Sequence, residues 1–156
     1  MSSKLTENIE FELEQLHQLL SEGHDLIKNS ILMSPASTDR WALGAMLQAF
    51  YNGIENVSKL IAVYYKELPV KSERWHVDLL TLMTMASSKR PAIVSPELFG
   101  VLRKYLAFRH IIRSIYTHEL RWESMADLVF GSEETLCLFE KELRIFMEKL
   151  RSSNPE

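Results

Sequence analysis

The sequence predicts an all-α protein, an up-down bundle of about five helices, and three observations predict it. Apolar residues recur every three or four positions over long stretches, the period of helices with one face in a core. Only 5 Gly and 5 Pro punctuate 156 residues, so the elements should be long. No convincing pair of strands can be read.

The first helix covers about residues 6–29. Ile9, Leu13, Leu16, Leu19 and Leu20 form its stripe, and Leu26 and Ile27 extend it. Residues 30–38, with Pro35, read as a linker. Thr38 or Asp39 can cap a second helix that continues from Trp41 to about Glu67 and is closed by Pro69. A shorter third helix fits about 75–87, with Leu79, Leu80, Leu82 and Met83 as its apolar content. A loop with Lys89, Arg90 and Pro91 follows. Ser95-Pro96-Glu97 is a strong helix start, with a side-chain cap, a proline at the first helical position and an acid in the first turn. The fourth helix then runs to about Leu120. Residues 122–131 form a connection with room for a helical turn. Ser132-Glu133-Glu134 starts the last helix, which ends near Leu150 before a polar tail over 151–156. Long antiparallel helices on short links make an up-down bundle. Without an internal repeat or a domain boundary, 1–156 reads as a single domain.

The formal charge of -3 and the pI near 6.0 exclude a generally basic nucleic-acid binder, so any anion site must be a local patch. The single cysteine, Cys137, excludes an intramolecular disulfide and a cysteine metal cluster. Its apolar neighbours predict a buried, inert thiol. There is no apolar signal core at the N-terminus, and no run near the roughly 18 apolar residues that span a bilayer. The expectation is a soluble, cytoplasmic protein with no membrane partner.

No phosphate-cradling glycine loop, Gly-x-Ser-x-Gly, His-Glu-x-x-His or pair of Glu-x-x-His units occurs. The five histidines, His17, His24, His76, His110 and His118, lack the carboxylate partners that a di-iron bundle places at helical spacing. No metal and no cofactor is expected.

The fourth helix is the unusual one. At about 100° per residue, Phe108, Ile111, Ile112 and Ile115 share an apolar arc. Arg109, His110, Arg113, Ser114, Thr117 and His118 fill the opposite half, with Tyr105 and Tyr116 near the boundary and Tyr116 almost directly above Arg109. This is a cationic strip inside an acidic protein. Arginine forks bind phosphate through two parallel hydrogen bonds, and histidine exchanges protons near neutrality. Together they suit RNA cleavage. The same strip also suits a solvated helix surface or a dimer interface, and composition alone leaves these open.

Several short motifs stand in order along 41–120, about half the chain. They are Tyr51-Asn52-Gly53-Ile54-Glu55-Asn56, Ile61-Ala62, Leu68-Pro69, Trp75-His76-x-x-Leu79-Leu80, Arg90-Pro91-Ala92 and Phe108-Arg109-His110-x-x-Arg113-x-x-Tyr116. The series resembles the HepT-like ribonuclease toxins of HEPN fold. The resemblance implies a HEPN-like bundle acting as a metal-independent RNA endonuclease, the toxin of a toxin–antitoxin pair. It also implies a homodimer with two signature helices across a cleft, and a minimal nucleotidyltransferase antitoxin as partner.

The family signature is Arg, four residues, His, one residue, Tyr, with a polar residue after the Arg. It places Arg109 at the Arg, His110 at the polar position and Tyr116 at the tyrosine that the partner modifies with AMP. Ser114 falls where the catalytic His belongs, and serine is no general base at neutral pH without an activating group. A second Arg-x4-His, from Arg113 to His118, has Leu120 where the Tyr belongs. Either His110 or His118 supplies the missing imidazole, or the chain binds RNA and its partner as a HEPN-scaffold adaptor with little or no cleavage.

Glu55, in the apolar second helix, either pairs with Arg109 or Arg113 or is simply exposed beside Asn52, Asn56 and Lys59. Trp75-His76 reads as a Trp anchor with a histidine near the helix start. Gly44 and Gly53 should permit close helix packing. Met83, Met85 and Met125 read as core filler, and Glu133-Glu134 as a helix-start device.

Overall fold

The computed structural model describes residues 2–153. The described residues form five α-helices and no strand: α1 (Ser2–Leu32), α2 (Ser37–Tyr64), α3 (Trp75–Met83), α4 (Pro96–Ser114) and α5 (Ala126–Ser153). Two single 3-10 turns, Thr117–Glu119 and Trp122–Ser124, join α4 to α5.

Pairwise contacts give the topology. Gly23 faces Met46 and Gly53 faces Leu16, so α1 and α2 run antiparallel. His17 meets Glu140, His24 meets Glu133 and Glu10 meets Arg144, so α5 runs antiparallel to α1. Phe50 packs on Tyr105 and Gly44 lies against Ile112, which sets α4 antiparallel to α2. The four long helices therefore alternate up and down, with short α3 bracing α2 and α4. Phe50, Tyr51, Ile54, Leu79, Leu102, Tyr105 and Phe139 meet in the shared core.

The glycines do what their spacing suggests. A Cβ on Gly53 would lie 2.5 Å from Leu16 Cδ2, and one on Gly44 would lie 2.8 Å from Ile112 Cδ1. Each lets a neighbouring helix come closer than an alanine would allow.

Several boundaries differ from the sequence reading, each for a visible reason. α1 extends from Ser2 to Leu32, and the link before α2 is correspondingly short. Neither Thr38 nor Asp39 caps α2; the N-cap is Ala36, with no side-chain hydrogen bond. α2 ends at Tyr64, ahead of Pro69. There the Lys66 amide bonds the Val63 carbonyl and the Glu67 amide bonds the Ala62 carbonyl, closing a Schellman turn. Lys66 takes the left-handed position (φ 58) that glycine usually fills. α3 stops at Met83, because the Met83 carbonyl turns to accept from the Ile93 and Val94 amides.

α4 starts as the sequence dictates, with Ser95 Oγ accepting from the Leu98 amide at 3.2 Å. It ends at Ser114, not near Leu120. Ile115 is extended (φ -115, ψ 160), and the chain beyond it is drawn onto α2. Trp41 Nε1 donates to the Thr117 carbonyl at 2.9 Å, Arg40 Nε donates to the Leu120 carbonyl at 3.1 Å, and Leu120 is buried. α5 begins at Ala126 instead of Ser132, whose hydroxyl bonds back to the Val129 carbonyl inside the helix. It continues through Ser153, and residues 154–156 of the polar tail lie outside the described residues.

Three burial expectations also change. Cys137 is exposed, on the outer face of α5 opposite Leu136 and Phe139. Met85 is exposed, while Met83 and Met125 are core. Ile111 is half-exposed (49 %), whereas Arg109 lies inward. The buried residues of α4 are Leu98, Leu102, Tyr105, Leu106, Phe108 and Arg109, and Ile112 and Ile115 pack against the core, so of the predicted arc only Ile111 turns outward.

Candidate functional site

Three helices bring polar side chains to one place. α2 contributes Asn52, Glu55 and Lys59, at i, i+3 and i+7 and so on one stripe. α3 contributes His76 at its second residue. α4 contributes Arg109 and His110, with Arg113 a turn further on.

Arg109 is 9 % exposed. Its Nε donates to Asn52 Oδ1 at 2.6 Å, and its Nη1 is buried with no hydrogen-bond partner. An unsatisfied buried donor costs about 1–3 kcal/mol, more when charged, so such a group calls for an explanation.

Glu55 is 4 % exposed. Its Oε2 lies 2.6 Å from His76 Nδ1, and its Oε1 lies 3.5 Å from Lys59 Nζ. Lys59 in turn sits 4.9 Å above the Trp75 ring. Neither Arg109 nor Arg113 pairs with Glu55, so that expectation is corrected. Asn52 takes the guanidinium, and the carboxylate, one turn along α2, reaches α3 instead.

The His76 and His110 rings meet edge to face, with centroids 5.9 Å apart. His110 is held below the ordinary imidazole range, first by partial desolvation and then by the positive charges of His76, Arg109 and Arg113; Glu55 opposes them. The phenol of Tyr51, buried below the cluster, is pushed well above its usual range by desolvation and by Glu55, with Arg109 and Arg103 pulling the other way.

The remaining predicted residues stand apart from this core. Arg113 and Ser114 are exposed on the last turn of α4. The Ser114 hydroxyl donates to its own helix, lying 3.2 Å from the His110 carbonyl and 3.0 Å from that of Ile111. Tyr116 and His118 lie beyond the end of α4, so Tyr116 does not stack above Arg109 on one helix. Tyr116 is 73 % exposed, and its ring lies flat against His118 at 5.6 Å and 13°.

The structure thus gathers Glu55, Arg109 and His110, and adds Asn52, His76 and Lys59. The Asn52–Glu55–Lys59 spacing was legible as a stripe. The place of His76 was not, because it depends on how α3 docks. Among the described residues, no three His, Cys, Asp or Glu side chains converge as metal ligands, and no helix is long and apolar enough to cross a membrane.

The described residues form an all-α, HEPN-like helical bundle, with a half-paired arginine and two imidazoles where three helices join. The family model described as HepT-like protein matches residues 42–150, well over half the chain and all of the site. The chain belongs to the HepT-like protein family. Comparison with curated proteins and with solved structures gives no match.

Proposed function

We propose that this chain is the toxin component of a HEPN/minimal-nucleotidyltransferase toxin–antitoxin pair, and that it cleaves RNA without a metal at the surface shared by α2, α3 and α4. The family supports the toxin setting. The observation that carries the RNA reading is Arg109. Its guanidinium is anchored by one hydrogen bond, to Asn52, and its Nη1 is buried and unpaired; a charged donor held so, beside Arg113 and two imidazoles, fits a phosphate that reaches it as the packing over Nη1 opens. Arg113 and two imidazoles beside it add charge and proton-transfer capacity in an otherwise acidic chain.

The test is cleavage of single-stranded RNA by the purified chain with metals chelated. Wild type should cut, and Arg109→Ala should cut about 10²-fold or more slowly, the scale for losing one charge-stabilising donor. A folded wild type that leaves RNA intact would overturn the cleavage reading.

The second reading, a non-cleaving HEPN-scaffold adaptor, is favoured by one observation. The Ser114 hydroxyl is spent on the carbonyls of its own helix, and no group is placed to activate it. Under that reading cleavage appears only in Ser114→His.

The antitoxin would add AMP to Tyr116. The exposure of that phenol supports this, since a modifying enzyme needs the hydroxyl open to solvent. A homodimer would set two such surfaces across one cleft and double the charge facing RNA. Sedimentation as a monomer at micromolar concentration would rule the dimer out.

A further inference from the structure

The HepT-like signature leaves a gap at position 114, where no imidazole stands, and neither candidate replacement fills it well. His118 lies past the end of α4, stacked on Tyr116. His110 adjoins Arg109 but no carboxylate orients it. One histidine outside the signature has what a general base requires. We infer that His76, oriented by Glu55, is the catalytic imidazole of this site and takes the proton from the RNA 2′-hydroxyl; this rests on the RNA-cleaving reading above.

Three observations carry the assignment. The first is the carboxylate. Glu55 Oε2 accepts from His76 Nδ1 at 2.6 Å and is almost fully buried. A carboxylate on one ring nitrogen fixes the tautomer and the ring plane, and leaves Nε2 with its lone pair for the substrate. This is the relation of base to orienting acid that recurs in nucleophile-activating sites.

The second is the cost. Carboxylates are almost never buried unless paired, and even a well-made buried ion pair rarely outcompetes apolar packing for stability. α3 does not need this one to dock. Trp75 already ties it down, with its indole donating to the Pro69 carbonyl at 3.1 Å and its ring beneath Lys59. Leu79, Leu80 and Met83 bury the rest of the helix. The Glu55–His76 pair is therefore not the only tie that docks α3.

The third is position. The His76 ring lies against His110, and its partner Glu55 stands one turn of α2 from Asn52, the partner of Arg109, so base and arginine are held by neighbouring positions of one helix stripe. The titratable groups in contact with His76 are Glu55 from α2 and His110 from α4; Lys59 stands beside Glu55, and Arg109 and Arg113 act on His110.

The step balances without any further reagent than water. Nε2 of His76 takes the 2′-hydroxyl proton as O2′ forms a bond to phosphorus. The P–O5′ bond breaks, and the 5′ oxygen takes a proton from water. The products are a 2′,3′-cyclic phosphate and a 5′-hydroxyl, and His76 returns its proton to solvent. Arg109 binds the phosphate oxygens throughout. Glu55 acts through His76 and is a positioning residue.

The experiment is single-turnover cleavage of an RNA oligonucleotide, with metals chelated, across pH 5–9 as an illustrative range around the histidine value. Wild type, His76→Gln, Glu55→Gln, Arg109→Ala and the double variant His76→Gln/Ser114→His are compared, with circular dichroism to follow the fold and a 2′-O-methyl oligonucleotide to read binding. His76→Gln should lower the rate by about 10²–10⁴-fold, while binding of the 2′-O-methyl strand stays near wild type. Glu55→Gln should lower the rate less and displace the acid limb of the pH–rate profile, which a purely structural glutamate would not do. The double variant should recover part of the rate, since position 114 is where the HepT-like signature carries its imidazole, although that position lies apart from Glu55. Wild-type rates in His76→Gln, with Arg109→Ala still dead, would overturn the role of His76 and leave the RNA-cleaving reading standing. A wild type as silent as Arg109→Ala would overturn both.

Discussion

Among the described residues two arginines are buried, and the fold treats them differently. Arg90, in the loop after α3, has its hydrogen-bonding capacity largely used. Its Nε meets Glu67 at 2.7 Å, Nη1 donates to the carbonyls of Met85 and Pro91, Nη2 donates to that of Leu82, and the guanidinium lies 5.9 Å from the Tyr65 ring. It staples the end of α3 to the turn after α2, bonding carbonyls that the helix end leaves free. Arg109 makes one side-chain hydrogen bond, to Asn52, and Nη1 has none. Both residues belong to motifs that carry the HepT-like resemblance, and the count of satisfied donors is what tells them apart.

The largest expected effect tests that contrast directly. Arg90→Met should cost about 3–5 kcal/mol in urea unfolding, the scale for breaking a buried pair and stranding its partner, here Glu67. Arg109→Met should cost about 1 kcal/mol or less, the net worth of one hydrogen bond, while removing RNA cleavage. Equal destabilisation by the two would show that Arg109 is also a staple.

Next in size is Asn52→Ala. It removes the side-chain anchor of Arg109 and strands a second buried donor of a charged group, at a cost of about 1–3 kcal/mol in stability, and cleavage should fall although the charge of Arg109 is untouched. Unchanged cleavage would mean that the guanidinium needs no positioning from α2.

The smallest effect concerns pH. His110 is held below its ordinary value of 6.5 in the folded chain, by desolvation first and by His76, Arg109 and Arg113 after it. The unfolded chain therefore binds this proton more readily, and stability falls as pH drops through and below that value. His110→Gln should flatten this part of the decline when midpoints are compared between pH 8 and 5. An identical decline would place the acid sensitivity elsewhere, for instance in the carboxylates that pair with arginine and histidine across α1 and α5, such as Glu140, whose carboxyl the bonds from Arg144 and His17 hold below the usual range although burial opposes them.

The start of α4 was legible to the residue, because Ser95-Pro96-Glu97 acts within a single turn. Its end was not. The stretch from Ile115 to Leu120 carries no stop signal of its own. The helix stops there because Arg40 and Trp41, more than seventy positions away along the chain, take its carbonyls. That one boundary moved Tyr116 and His118 off the helix and out of line with Arg109. The inward face of α4 was mostly legible: Phe108 is core and Ile112 and Ile115 pack on it as their arc suggested, while Ile111 turns out and Arg109 turns in.

Helical class, the number of long elements and the cationic character of α4 were determined by the sequence itself, since they depend on side chains three or four residues apart and on sparse glycine and proline. Which carboxylate meets which histidine was decided only by tertiary structure. Glu55 reaches His76 across 21 positions and Asn52 reaches Arg109 across 57. At such separations no local propensity acts. The partners are chosen by how the apolar faces of α2, α3 and α4 bury one another, and the polar groups pair where that packing leaves them.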